Sequence, residues 1–192
     1  MHNTDASPRD ASASPGRPPR RRWRRVLGVI AAILLAGLLL PENPQIPVQG
    51  ASYGDWNPQS FWYEPWGKSG VHKGIDIFAP KGRPVLSASY GVVIYRGELG
   101  LGGKVVAVLG PKWRIHYFAH LDSYNVVPLQ VLDSGSTVGS VGVSGNAAGK
   151  PPHLHYAVLS LLPRPWRFSS ATQGWKRMFF VDPGSQFKPA SN

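Results

Sequence analysis

Hydrophobic and polar positions follow two regimes along this chain. Residues 26–40, VLGVIAAILLAGLLL, form an unbroken run of 15 uncharged residues directly after RPPRRRWRR. From residue 71 onward the apolar positions come in short runs: GIDIF, PVLSAS, GVVIYRG, KVVAVLG, WRIHYFAHL, VGSVGVSG and HLHYAVL. These runs are rich in β-branched and aromatic residues and are separated by Gly, Pro, Asp and Ser, which predicts strands and turns. No window after Leu40 carries the repeat of an amphipathic helix. The expectation is an all-β domain preceded by one apolar helix.

As a helix, residues 26–40 reach about 22 Å, short of the ~20 residues that span a bilayer comfortably. Trp23 at the interface and snorkelling arginines lengthen the usable span. The pattern predicts a transmembrane segment at 26–40, a disordered basic tail at 1–25 on the cytoplasmic side, and everything after Leu40 outside. A cleaved secretory signal is the other reading; the lack of an A-x-A site after the apolar run favours the uncleaved signal-anchor. Pro-rich residues 41–52 predict an extended linker, and 53–188 the folded domain. That domain opens with SYGDWNPQSFWYEPW, aromatic but without periodicity, a loop that either packs on the sheet or walls a groove.

Composition narrows the chemistry. The chain has no cysteine, so disulfides and thiolate metal sites are excluded and any metal must be held by His, Asp or Glu. The net charge of +11 is divided, with a surplus of +5 in residues 1–40 and +6 in the rest. Nearly half of it belongs to the targeting segment, and no recognition motif accompanies the remainder, so a nucleic-acid partner is not expected.

Four histidines and one aspartate carry the candidate chemistry. HKGID at 72–76 places His72 and Asp76 four apart, about 13 Å along a straight strand. Gly74 between them permits a bend that would fold His72 back towards Asp76. Asp76 lies between Ile75 and Ile77, where an unpaired carboxylate on a buried face is costly. In PPHLHYAV, His153 and His155 point to one face of a strand with Cα atoms about 6–7 Å apart. That separation suits one metal ligand and one neighbour reaching the metal's water. In HYFAHLD, His116 and His120 share strand alternation with Phe118; His116 reads as an ordinary polar residue filling a β-surface position.

Taken together and in order, GVHKGIDIFAPKGRPVLSASYGVVIYRGE, YFAHLD, VGSVGVSGNAAGKPPHLHYAV and a closing FVDP resemble the lysostaphin/LytM-type zinc metallopeptidases of bacterial peptidoglycan, over about residues 67–160. The resemblance implies one zinc held by His72, Asp76 and His155, with His120 and His153 as the catalytic, non-ligating histidines. It also implies the family's small antiparallel, sandwich-like β-sheet with a substrate groove. Two stretches depart from the family pattern: VLGPKWRIHYFAHL lacks the usual acidic, Gly-rich turn, and DSYNVVPLQVLDSGSTVG keeps only a trace of V-G-D-x-V. Both lie in groove walls, so they bear on substrate preference rather than on metal binding.

The resulting expectation is a membrane-anchored, extracytoplasmic (periplasmic) zinc metalloendopeptidase that hydrolyses peptide cross-links of peptidoglycan. The alternative within the same fold is a non-catalytic regulator of other wall hydrolases.

Overall fold

In the computed structural model, residues 20–187 are described. Their first element is an α-helix, α1 (Arg20–Leu39). It opens with RRRWRR, so residues 20–25, expected in the disordered tail, are helical; residues 1–19 lie outside the described part. These residues leave 26–39 as the uncharged part of the helix, about 21 Å. No helix among the described residues is long and apolar enough to cross a membrane. The transmembrane expectation for 26–40 therefore finds no support, because charge occupies the turns needed to reach ~30 Å.

The remainder, from Ala36, is a separate compact unit. Its described residues form ten strands: β1 (Ile75–Phe78), β2 (Pro84–Leu86), β3 (Gly91–Leu99), β4 (Gly103–Gly110), β5 (Arg114–Ala119), β6 (Leu121–Tyr124), β7 (Val131–Leu132), β8 (Thr137–Val141), β9 (His153–Ser160) and β10 (Phe180–Val181). The larger sheet runs β1-β9-β5-β4-β3-β7, and β10 pairs with the far end of β9, on the edge that β1 also uses. A smaller sheet has the order β2-β8-β6. The pairings of these strands are antiparallel. Short 3₁₀ turns punctuate the connections, as suits a chain dense in Gly and Pro.

Alternation along β1, β5 and β9 gives the large sheet two unlike faces. Ile75, Ile77, Phe118, Leu154, Tyr156 and Val158 point into the core with residues of the small sheet such as Val85, Val138 and Val141. Burying each such side chain contributes about 1.5–3 kcal/mol. A one-residue slip would turn every one of them to the other face, so the core fixes the register. The in-between residues, among them Asp76, Tyr117, Ala119, His153 and His155, line a cleft on the opposite face. The core thus decides which side chains meet in the cleft.

Residues 41–52, expected as an extended linker, are part of this unit. Gln45 N–H donates to the Ala88 carbonyl, Leu86 N–H to Pro47, and Gln49 N–H to Pro84, while Val48 bridges Val85 and is buried in the core. Glu42 pairs with Arg114 and lies 3.3 Å from His116 Nε2; its side chain is 1% exposed. His116 in turn sits 2.6 Å from the Tyr156 hydroxyl. It is therefore not a surface filler but part of a buried polar network behind the sheet, 1% exposed.

Candidate metal centre

Register brings the aspartate and the H-x-H pair together. Asp76 on β1 is directly opposite His155 on β9, and Ala119 on β5 is opposite His155 from the other side. Cross-strand neighbours of this kind have Cβ atoms about 4.5–5.5 Å apart, which puts a carboxylate and an imidazole in contact without strain. Asp76 Oδ1 lies 2.8 Å from His155 Nδ1.

His72 arrives from the loop before β1. The chain bends at Gly74, where an added Cβ would sit 2.4 Å from the Tyr156 carbonyl oxygen, so only glycine allows the loop this close to β9. His72 N–H donates to the Tyr63 carbonyl at 3.0 Å, Trp62 N–H donates to the His72 carbonyl, and the Trp66 ring stacks on the imidazole with centroids 4.1 Å apart. The aromatic loop at 53–66 thus cradles His72. His72 Nε2 then lies 3.1 Å from Asp76 Oδ1 and 3.1 Å from His155 Nδ1.

The donor set fits a divalent cation. His72 Nδ1 lies 2.9 Å from the Ser60 carbonyl, which can only accept, so this nitrogen carries the proton. The neutral ring then presents a bare Nε2 lone pair to a carboxylate oxygen, a contact between two acceptors that a cation turns into ligation. Tetrahedral ligand atoms at bond lengths of ~2.0–2.1 Å stand about 3.3 Å apart, and the three observed separations of 2.8, 3.1 and 3.1 Å approach that value. His72, Asp76 and His155 form the one such group found among the described residues. Burial would raise the Asp76 pKa, but the His155 and His72 imidazoles packed against the carboxylate overcome it and hold the carboxyl far below its usual range. Desolvation lowers the His155 pKa despite Asp76, favouring the neutral, ligating imidazole.

His120 and His153 flank this group without joining it. Simple alternation would send His120 into the core with His116 and Phe118. Instead it lies one residue past β5 with φ of +63°, a conformation uncommon outside glycine, and the turn swings its ring into the cleft. Its centroid is 5.0 Å from His153 and 5.9 Å from His155. His120 Nδ1 donates to the Ser144 carbonyl at 2.9 Å and His153 Nδ1 to the Pro151 carbonyl at 2.8 Å. In the neutral His120 ring Nε2 is left as a base. Desolvation above all lowers the His120 pKa to about 4, so its ring is neutral at pH 7. His153 Nε2 stands 3.9 Å from the other Asp76 oxygen.

All five predicted residues line one cleft of about 650 Å³, together with Trp66, Leu101 and Asn146. Sequence reasoning missed the carbonyls of Ser60, Ser144 and Pro151 that set the histidine tautomers. Backbone acceptors leave no mark in residue identity, so no signal could have found them.

An all-β domain with a His₂Asp group on the floor of an open cleft is the architecture of a metallopeptidase. The family model of Peptidase family M23 matches residues 70–162, and the chain carries an M23 peptidase domain over about half its length. The L-Ala--D-Glu endopeptidase of Bacillus subtilis is 40% identical over 113 residues, which is 54% of this chain and 35% of that protein. The catalytic domain of lysostaphin from Staphylococcus simulans shares the fold, with a TM-score of 0.55 at 24% identity over 69% of this chain and 95% of that one. A lytM protein of Ruminococcus gnavus superposes with a TM-score of 0.56 at 25% identity, over 77% and 68% of the two chains. The chain spans only about a third of the Bacillus relative's length.

Proposed function

We propose that this protein is a zinc-dependent endopeptidase that hydrolyses peptide bonds of peptidoglycan outside the cytoplasmic membrane. The observation that carries the reading is the triangle of His72 Nε2, Asp76 Oδ1 and His155 Nδ1, with mutual separations of 2.8–3.1 Å. These three residues would hold one zinc per chain. When bound, zinc supplies Lewis acidity, which lowers the pKa of water and polarises a peptide carbonyl.

The remaining steps belong to the chain. His120, neutral and with its Nε2 free, accepts the proton of the attacking water. The proton taken by His120 is then passed to the leaving amine, and His153, 5.0 Å away ring to ring, orients the water. Ser144 and Pro151 keep both rings oriented through Nδ1. Trp66 shields one face of the His72 ring from water.

The L-Ala--D-Glu endopeptidase activity of the Bacillus relative supports a peptidoglycan substrate, and the arginine-rich run ahead of residues 26–40 supports export. A targeting segment needs an apolar core of only about 7–15 residues, so the length of α1 does not oppose it. Presence of all five site residues in one cleft argues against the regulator alternative.

The test is direct. Zinc content of the purified chain and release of muropeptides from isolated sacculi are measured for wild type and His72→Ala. One zinc per chain with muropeptide release, both lost in the variant, is expected. A wild type that binds no zinc and releases nothing sinks the reading.

A further inference from the structure

The charges around the cleft are one-sided. Lys68, Lys73 and Lys150 line it, and the only acidic side chain among its described lining residues is Asp76, already committed between two imidazoles. Lys68 and Lys150 are exposed at the rim. Lys73 is different: it is half-buried, next in sequence to the ligand His72, and its ammonium is steered by the Ser69 and Val71 carbonyls at 3.1 and 3.4 Å. Two of its three N–H groups are thereby used. The ion pairs among the described residues include Lys81 with Asp122 and Arg114 with Glu42, but none to Lys73. A held, half-buried cation without a counter-charge among those residues, on the wall of a cleft, is a place for an anion.

Resting on the peptidase reading above, we infer that Lys73 binds a free carboxylate of the substrate beside the scissile bond, with Lys68 and Lys150 attracting the anionic chain. The substrate class is then a peptide carrying a carboxylate next to the cleaved amide, not a neutral oligoglycine bridge. In peptidoglycan that chemistry has two sources, the α-carboxylate of a D-glutamyl residue and the free carboxylate of a diaminopimelyl residue. An ammonium reads either as a point charge. Amidation of the carboxylate removes the charge with little change in shape and makes the sharpest comparison.

The experiment uses the zinc-loaded full chain and three substrates: an L-alanyl-D-glutamyl stem peptide, a D-alanyl-diaminopimelyl cross-link, and pentaglycine. The first two are each prepared as acid and as amide. The acid of at least one pair is expected to be cleaved about tenfold or more faster in kcat/KM than its amide, as fits a hydrogen bond to a charged group. Lys73→Met is expected to erase that ratio, mainly through KM, while Lys73→Arg keeps most of it. Which pair shows the preference identifies the source of the carboxylate. Equal cleavage of acid and amide by wild type overturns the Lys73 assignment and leaves the peptidase reading standing, and needs no variant to fold. Pentaglycine as the best substrate does the same. An acid preference that survives in Lys73→Met also overturns it. No hydrolysis of any of these substrates or of whole sacculi sinks both.

Discussion

Asp76 and His155 face each other across the β1–β9 pair, and one oxygen of the carboxylate touches both His155 Nδ1 and His72 Nε2. This single oxygen is the hub of the site. Its place follows from strand register, and the register follows from Ile75, Ile77, Leu154 and Tyr156 packing on the other face.

Replacing that hub by Asp76→Asn keeps the shape and removes the charge. The variant is expected to lose its zinc and at least about 100-fold in activity, since ligand changes of this kind remove the catalytic ion. Metal analysis after dialysis, together with muropeptide release, checks it; a variant that keeps both zinc and turnover contradicts the assigned ligand set.

Three non-ligand histidines separate by role. His120→Ala and His153→Ala are expected to retain zinc while losing about 10²–10⁴-fold in kcat, the usual worth of general acid–base groups. His116→Gln, on the far face with Tyr156 and Glu42, is expected to lower stability while leaving the folded enzyme's kcat near wild type. Parallel steady-state and metal measurements on the three variants decide the matter.

Gly74→Ala tests close packing at the bend. The added methyl would meet the Tyr156 carbonyl oxygen and carbon at 2.4 and 3.0 Å, backbone atoms that cannot rotate away. Overpacking of this kind costs about 1–3 kcal/mol. Because the bend carries His72, zinc affinity is expected to fall as well. Urea unfolding with and without zinc reads both effects.

The metal-free protein is expected to lose stability as pH falls from 6.5 towards 4. Desolvation above all lowers the folded-state pKa of His120 from 6.5 to about 4, so between these values the unfolded chain binds the proton and the folded chain does not. Stability then rises with pH across that window. His155, also lowered by burial, adds to the slope with the same sign. Urea midpoints in EDTA across the window should show the slope, and His120→Gln should flatten part of it.

Glu42→Ala removes the buried partner of Arg114. Breaking such a pair costs about 3–5 kcal/mol because the other charge is left uncompensated. Replacing both, Glu42→Met with Arg114→Met, is expected to recover much of the loss. Denaturant titration of the single and double variants tests the pair, and with it the anchoring of residues 41–51 to the domain.

Much of the site was legible because its residues sit in short motifs. HKGID carries two of the proposed ligands and the bend between them, and HLH carries the third and its neighbour, so four of the five residues come from two stretches of five residues or fewer. His120 was legible only through resemblance. Its strand alternation points into the core, and the left-handed turn that reverses it is a backbone fact with no glycine to announce it. His116 misled for a different reason. A polar residue on a strand looks solvent-facing until its buried partner is found, and that partner, Glu42, belongs to no motif. The pairing of Glu42 with Arg114 and its approach to His116 cross more than seventy residues of chain, and no local pattern reports a contact at that range.

The sequence by itself determined the all-β class, the short strands, and the residue types able to hold a metal without cysteine, because alternation and composition are local properties. Tertiary structure alone decided that residues 41–51 pack onto the domain, that α1 begins within its arginines, and that three backbone carbonyls set the histidine tautomers. These depend on which backbone atoms come within about 3 Å of one another, the reach of a hydrogen bond, and that is fixed by the packed core rather than by neighbours in the chain.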